Sequence, residues 1–520
     1  MISLDTEDDS CGTVKIINFF DGQDHITFTG PNLQYRAWGW LQSVAPETVW
    51  CTQTEYDLIN LFGPWLGRFT TLQYVKAGLM RATFRLAKIV FLDTLRHWPA
   101  SVEKMGEAIG LEKLSMPHLG CDCDDCVYYC RRDSEITWRY TDAMCQRYRD
   151  LGLDSIRSTL PSMALQLFKQ FYAKDFPEIP SYIKKQMRRG YYGGRVEIYQ
   201  MGKIEGPINH YDVNSLFPSC MVDFSYPDVS SLRSTTSPDF QKEGVFEGWV
   251  LVSYNDYPTL PVRDEEILFP HGNLYGAWCY PEIRQVLKDG GKIISCKEAV
   301  EFDEVENPFD NYVKFCYGKR LNSKDGLDSQ FWKLMLNSLY GKFGSHNEIT
   351  TIFDDEERAI GGESRTANVI WAAYVTSYAR LRLLEFLRSA GSNYYTDTDS
   401  LFTLDTLPTS TRIGELKLEG IYKTAEFRGN KLYVLDSVAR AKGVPRNKAQ
   451  EFFDTGKTSY KKPARFREAR RTSKQANYWY DQEKHNNQVY TKRKILDSGK
   501  TVPWEFGEYK IFKERLELKK

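Results

Sequence analysis

The segment Asn393-Tyr-Tyr-Thr-Asp-Thr-Asp-Ser-Leu-Phe-Thr403 carries two carboxylates, Asp397 and Asp399, with one residue between them. A tight turn between two strands presents both at its tip, where they repel, and a pair of divalent cations is the usual way to keep both ionised. A plain Asp-rich hairpin turn would have the same composition. A second segment, His210-Tyr-Asp-Val-Asn-Ser-Leu-Phe-Pro-Ser219, delivers Asp212 from a strand before a turn at Pro218, so Asp212 can lie across from Asp397 and Asp399. In a third, Lys333-Leu-Met-Leu-Asn-Ser-Leu-Tyr-Gly-Lys-Phe-Gly344, Lys333, Asn337 and either Tyr340 or Gly341 recur at helical spacing. A cation, an amide and an aromatic ring on one helix face suit a triphosphate and its base. Any one of these could be a decorated structural element; the three in this order are hard to explain except as one site.

A cysteine cluster stands apart from these carboxylates. His118 precedes Cys121, Cys123, Cys126 and Cys130. Thiolates two residues apart can share a zinc ion. The pattern Cys-x-Cys-x2-Cys-x3-Cys is not a standard finger spacing, and Asp122, Asp124 and Asp125 would crowd the site, so free thiols in a surface loop are the competing reading. Eleven cysteines, an odd number in a long chain, argue for reduced thiols over a disulfide framework.

The elements that must hold these groups are legible from periodicity and punctuation. The 520 residues suit about three domains, and 42% apolar with 14% aromatic residues is enough for sizeable cores. Strands are expected at Ile2–Asp5 and Val14–Phe20, joined by a turn at Asp8–Gly12, and at Ala87–Leu92. Helices are expected at Val102–Leu111, ending near Gly110, and at Leu160–Phe171, with a linker at Phe176–Pro180. Tyr191-Tyr-Gly-Gly194 marks a turn before a strand at Arg195–Tyr199, and residues 225–310 read as a β-rich insertion. Phe331–Leu339 and Val369–Leu387 have the spacing of buried helices, whereas Asn393–Thr403 and Lys431–Asp436 read as strands. The alternation fits an α+β multidomain protein.

Charge narrows the partners. The net charge is zero, but residues 431–520 hold 23 Lys/Arg against 11 Asp/Glu, so a basic C-terminal region follows an acidic body. A polyanion for the first and metal ions for the second are the natural counterparts, a solvated basic tail the plain alternative. The acidic opening shows no secretory leader, and the longest apolar run, near Val369–Val375, is far below a membrane span. A soluble intracellular protein without membrane contact is expected.

Asp-x2-Ser-Leu-Phe-Pro from Asp212, Lys-x3-Asn-Ser-x-Tyr-Gly from Lys333 and Tyr-x-Asp-Thr-Asp-Ser from Tyr395 resemble motifs A, B and C of family B DNA polymerases. Lys431-Leu-Tyr433 resembles the Lys-x-Tyr motif at the primer end, Tyr191-Tyr-Gly-Gly194 the Tyr-x-Gly-Gly motif of the protein-primed subgroup, and Ala441-Lys-Gly-Val444 a thumb-proximal segment there. Asp5-Thr-Glu7, Gln53-Thr-Glu-Tyr-Asp57 and Tyr129-Cys-Arg-Arg-Asp133 are similar to the three exonuclease motifs of that subgroup, with Gln53 where the family has Asn. Lys113 matches a lysine that assists the exonuclease step.

The resemblance implies an RNase H-like 3′–5′ exonuclease domain over residues 1–180, followed by a right-hand polymerase domain over 181–520. It implies a palm at about 185–224 and 350–437, a terminal-protein-contacting insertion at about 225–310, fingers at about 311–350 and a thumb at about 438–520. By the same resemblance Asp212, Asp399 and the Val213 backbone hold two Mg2+ ions, with Mn2+ a possible substitute, and Asp397 is the neighbouring carboxylate. Lys333 neutralises the dNTP triphosphate, aided by Lys319 or Arg320. Ser215, Leu216 and Phe217 cradle its phosphates and sugar, Phe217 standing where most relatives carry Tyr, and Asn337 and Tyr340 complete the nucleotide site. Tyr56, Tyr191, Gly193, Gly194, Ser338, Gly341, Lys431, Tyr433 and Lys442 meet the DNA template-primer. In the exonuclease, Asp5, Glu7, Asp57 and Asp133 hold two more ions and Tyr129 orients the attacking water.

Protein priming by a terminal protein follows from the subgroup and from the 121-residue interval between Asp212 and Lys333. Only 24 residues separate Gly344 from Val369, a short second insertion that weakens any expectation of high processivity. The setting implied is the cytoplasm or organelle of the host of a virus, phage or mobile element. Two rival readings remain: a degenerate polymerase surviving as an exonuclease, and a non-catalytic DNA-binding replication protein. A reverse transcriptase would show adjacent aspartates at the hairpin tip, whereas Thr398 separates them here.

Overall fold

The computed structural model describes residues 1–517 except 77, 119, 173, 175, 177–178, 346–348, 355, 362–367, 464, 468–478 and 487–488. Part of the expected linker at Phe176–Pro180 therefore lies outside the described residues.

Alternating β-branched and aromatic residues at the start of the chain build a nine-stranded sheet. Its order is Glu356–Ile360, Ile349–Phe353, Thr70–Val75, Gly78–Phe84, Ile89–Asp93, Thr48–Cys51, Ile2–Asp8, Val14–Phe20 and His25–Thr29. Ile2–Asp8 and Ile89–Asp93 run parallel to Thr48–Cys51 between them, and the other pairs are antiparallel. Two features differ from the sequence-based expectation. The strand expected at Ala87–Leu92 starts two residues later, because Lys88 is left-handed (φ 56°) and closes the preceding turn. Residues 349–360, placed from the resemblance at the fingers–palm boundary and in a short second insertion, form a hairpin, Ile349–Phe353 and Glu356–Ile360, that extends this N-terminal sheet by pairing with Thr70–Val75.

The helix Asp124–Asp150 lies against the opening strand, where the Ser3 hydroxyl donates to the Ser134 carbonyl (2.7 Å). Beyond it, Leu160–Phe171, Asp310–Leu321, Gly326–Phe343 and Val369–Ser389 share one core. Phe168, Phe309, Phe343 and Trp371 from four different segments meet there at ring separations of 5.3–6.4 Å, an edge-rich arrangement that fixes helix positions beyond what area burial alone would do.

A seven-stranded antiparallel sheet follows, in the order Val438–Ala441, Leu432–Leu435, Leu416–Gly429, Gly202–Val213, Ser400–Thr403, Asn393–Asp397 and Val196–Ile198. The insertion forms its own four-stranded sheet of Leu232–Thr235, Lys292–Phe302, Glu243–Val252 and Gly272–Cys279. The range 438–520 does not form one unit. Val438–Ala441 completes the seven-stranded sheet, Lys457–Pro463 pairs with Trp479–His485, and the last helix, Phe506–Glu517, packs with Trp504 into the core of the insertion. The physical reason is aromatic: Trp504, Phe506, Tyr509 and Phe512 give the basic C-terminal stretch an apolar face that must be covered. Among the described residues, no helix is long and apolar enough to cross a membrane.

One buried ion triad ties this returning segment to the sheet edge. Glu197 is held by Arg195 (2.7 Å) and Arg493 (3.5 Å), all three almost fully buried. Burial alone would raise the Glu197 carboxyl, but the two guanidinium groups outweigh it and hold it below the usual range. Glu197→Gln leaves two buried cations without their counter-charge and will cost about 3–5 kcal/mol; a lower melting midpoint in scanning calorimetry is the expected result.

Candidate active sites

The hairpin Asn393–Asp397 and Ser400–Thr403 turns through Thr398 in the left-handed region (φ 68°). Its fit depends on Gly194, where an added Cβ would stand 2.7 Å from the Thr398 side chain, while the Thr398 N–H donates to the Arg195 carbonyl (2.7 Å). The Tyr-Tyr-Gly-Gly segment thus lies against the hairpin tip. Arg380 secures it from below: buried and bidentate with Glu282 (2.9 Å each), it donates to the carbonyls of Tyr192 (2.8 Å) and Gly193 (3.0 Å). Sequence reasoning missed this arginine, although a charge inside the apolar run of Val369–Ser389 was the available signal.

Asp212 sits on Gly202–Val213 directly opposite Ser400, and the Val213 N–H donates to the Asp399 carbonyl (2.8 Å). The two strands therefore bring Asp212 and Asp399 side by side. Burial, then the Asp399 charge, pushes Asp212 up to about 7, with Lys417 and Lys333 pulling against it. Burial and Asp397 likewise raise Asp399. Asp397 is instead paired with Lys431 (2.9 Å), whereas Asp212 and Asp399 form no ion pair among the described residues. Lys431 is left-handed (φ 57°), and its N–H donates to the Tyr395 hydroxyl (3.0 Å). Tyr433 packs with Tyr395, Phe402 and Phe427, and the Lys442 N–H donates to the Lys431 carbonyl (3.1 Å).

Immediately after Val213 the chain turns through Ser215 (φ 50°) and starts the helix Leu216–Asp223. Its first N–H groups have no intrahelical acceptor and suit anionic oxygens. Arg320 donates to the Ser215 hydroxyl (3.3 Å), while Lys319 lies over the Phe315 ring, so the helix Asp310–Leu321 brings Arg320 to this turn. On Gly326–Phe343, Lys333, Asn337 and Gly341 are exposed, and Tyr340 stacks on Phe217 at 4.3 Å and 23°. Ser338 bonds back to the Leu334 carbonyl (2.6 Å) and, with Gly341, lines a groove toward the nine-stranded sheet.

A second acidic site lies on the opening strand. Asp5 and Glu7 are half-buried, and Asp57 and Asp133 are buried. Asp57 comes from the helix Thr54–Phe62, where the Thr6 hydroxyl donates to it (2.8 Å); Asp133 and Tyr129 come from Asp124–Asp150. Burial first, then Asp133, Glu7 and Asp57, raises Asp5; burial and Asp133 push Glu7 up to about 8. Asp133 is raised by burial although Lys113 opposes it. Lys113 forms an ion pair with Asp133 and donates to the Tyr129 hydroxyl (2.7 Å). The buried oxygens Asp5 Oδ2, Asp57 Oδ2 and Asp133 Oδ1 have no hydrogen-bond partner, the condition expected of oxygens that bind a cation. Tyr56 donates to Asp8 (2.7 Å) and, with exposed Gln53 (φ 65°), lines a groove shared with Lys462 and Arg465.

A sequence profile described as DNA polymerase type B, organellar and viral, matches residues 120–382, just over half of the chain. The chain belongs to this family. Its type B relatives include a probable DNA polymerase of Podospora anserina, 26% identical over 61% of this chain and 33% of that protein. Another is the primer-independent DNA polymerase PolB of Escherichia coli, 27% identical over 61% of this chain and 44% of the relative. The chain thus spans about a third to just under half the length of these two curated relatives. The fold of this chain is that of Bacillus phage phi29 DNA polymerase. A phi29 complex with primer-template DNA and incoming nucleotide covers 94% of this chain and 99% of its own, with a TM-score of 0.76 at 16% identity. At this identity the likeness is one of fold, a mixed α/β multidomain architecture shared along nearly the whole chain.

Proposed function

We propose that the chain is a template-directed DNA polymerase with a 3′–5′ exonuclease, replicating a linear viral or mobile-element genome by protein priming. The observation that carries the reading is the pairing of Asp212 and Asp399 on adjacent strands, tied by the Val213 N–H, with a helix start and Lys333 beside them. The nine-stranded sheet with its helices is the exonuclease, the seven-stranded sheet the palm, and Asp310–Leu321 with Gly326–Phe343 the fingers.

Raised carboxylates without cationic partners fit divalent ions. Asp212, Asp399 and the Val213 carbonyl would hold two Mg2+ ions, with Mn2+ as substitute, which when bound supply activation of the primer 3′ hydroxyl and charge neutralisation at the phosphates. Asp397 orients Lys431 toward the primer end, beside Tyr433 and Lys442. The N–H groups of Leu216 and Phe217, with Lys333 and Arg320, bind the triphosphate of an incoming dNTP. The Phe217 ring, braced by Tyr340, lies under the deoxyribose and excludes a 2′ hydroxyl by shape, and Asn337 faces the base. Ser338, Gly341, Tyr191, Gly193 and Gly194 line the approach of the template-primer.

At the second site Asp5, Glu7, Asp57 and Asp133 would hold two ions. Tyr129, its hydroxyl fixed by Lys113, orients the attacking water, and Tyr56 grips the single strand. The E. coli relative named primer-independent supports testing initiation directly.

The test is a labelled primer on a DNA template with magnesium. Extension with dNTPs and shortening without them are expected. Shortening alone would leave an exonuclease-only protein, and neither activity would leave a DNA-binding protein. Initiation with neither terminal protein nor primer would overturn protein priming.

A further inference from the structure

The fold brings together four metal-ligating side chains that neither catalytic site uses. His118 Nε2, Cys121 Sγ, Cys123 Sγ and Cys126 Sγ all lie within 4.8 Å of one another, the one such group of three or more among the described residues. His118 Nε2 is 3.2 Å from Cys123 Sγ, the Cys123 N–H donates to Cys121 Sγ (3.2 Å), and Cys126 Sγ donates to the His118 carbonyl (3.3 Å). A tetrahedral zinc about 2.3 Å from each sulfur separates its ligand atoms by roughly 3.8 Å, so only a small contraction is needed. Cys130, expected from the sequence to share the cluster, lies one turn further along the helix and donates to the Asp5 carbonyl (3.5 Å) instead.

We propose that His118, Cys121, Cys123 and Cys126 form a structural Cys3His zinc site. The set closes four-coordinate geometry with no open position, the mark of a structural and not a catalytic zinc. Three thiolates and one Zn2+ leave a net negative charge, and that charge sits at the N-terminus of Asp124–Asp150, whose dipole favours it. Asp122, Asp124 and Asp125, which the sequence suggested would crowd the site, are exposed and leave it open.

The site's position gives it work to do. Residues 111–118, which carry Lys113, have no helix or strand. Zinc would fasten the end of that loop to the helix that carries Tyr129 and Asp133, and Gly120 packs against Asp9 at the opening hairpin, where a Cβ would come within 2.7 Å. The metal thereby positions Lys113 on Tyr129 and Asp133.

Metal content of the full-length protein, purified without chelator and measured by mass spectrometry, tests this without any catalytic readout. Wild type is expected to hold about one zinc per chain. Cobalt reconstitution should give the intense thiolate charge-transfer and visible d–d bands of a tetrahedral thiolate site. Cys123→Ser should abolish both, His118→Ala, at an exposed position that does not threaten folding, should weaken zinc retention at least tenfold against a competing chelator, and Cys11→Ser should change nothing. Wild type without zinc and without a cobalt spectrum overturns the proposal, whether all eleven thiols titrate in denaturant or fewer do because a disulfide has formed. Loss of zinc should slow primer shortening and spare primer extension, so failure of the polymerase reading leaves the zinc measurement standing on its own.

Discussion

Asp399→Asn will reduce primer extension by on the order of 10^3–10^4, the scale of losing a group that acts in the transition state, while primer shortening without dNTPs persists. The backbone bonds that shape the hairpin do not involve the carboxylate: the Asp399 N–H donates to the Asp397 carbonyl (2.7 Å), and its own carbonyl accepts from Val213 (2.8 Å). The variant also removes a charge that burial and Asp397 already disfavour. Its melting midpoint will therefore match or exceed the wild type's, and binding of template-primer, measured by fluorescence anisotropy, will change little. Loss of extension together with a lower melting midpoint would mean that Asp399 is structural. The pairing of loss with retained stability is what separates a metal-binding carboxylate from a turn-forming one.

That Asp212, Asp397 and Asp399 would lie together was legible because each lies in a short segment whose local structure is set by its own residues. The hairpin at Asn393–Thr403 and the strand delivering Asp212 need only period-two alternation and a turn. What the sequence could not show were contacts between distant segments. Gly194 reads as a turn residue, yet its lack of a side chain is spent on the approach of Thr398. Residues 349–360 read as part of a short second insertion, but the hairpin they form pairs with Thr70–Val75, nearly 280 residues earlier, and strand pairing at that separation leaves no local trace. Arg380 and Glu282 are likewise unremarkable until the fold buries them against each other. The cysteine cluster is the reverse case: the ligand residue types were visible, but which four converge depended on Cys123 ending the loop and Cys130 rotating with the helix toward Asp5.

Asp5→Asn will produce the opposite separation of activities. Asp5 faces Asp133, Glu7 and Asp57 in a buried setting, and its Oδ2 is without a hydrogen-bond partner. An amide keeps the side chain's shape but supplies neither the charge nor the second anionic oxygen that a divalent ion requires. Shortening of a labelled single strand should fall by on the order of 10^3 or more, and primer extension should stay within a factor of about two, since Asp5 contributes nothing to the Asp212–Asp399 pair. The opening strand remains anchored through Ser3 to Ser134 and Thr6 to Asp57, so the nine-stranded sheet survives the change. Relief of like-charge repulsion should hold the melting midpoint at or above the wild type's. Because the hairpin at 349–360 joins this sheet to the helix Gly326–Phe343, a variant that unfolded the nine-stranded sheet would also impair extension. Retained extension with lost shortening is therefore evidence that the chemistry at Asp5, and not the fold around it, has been removed.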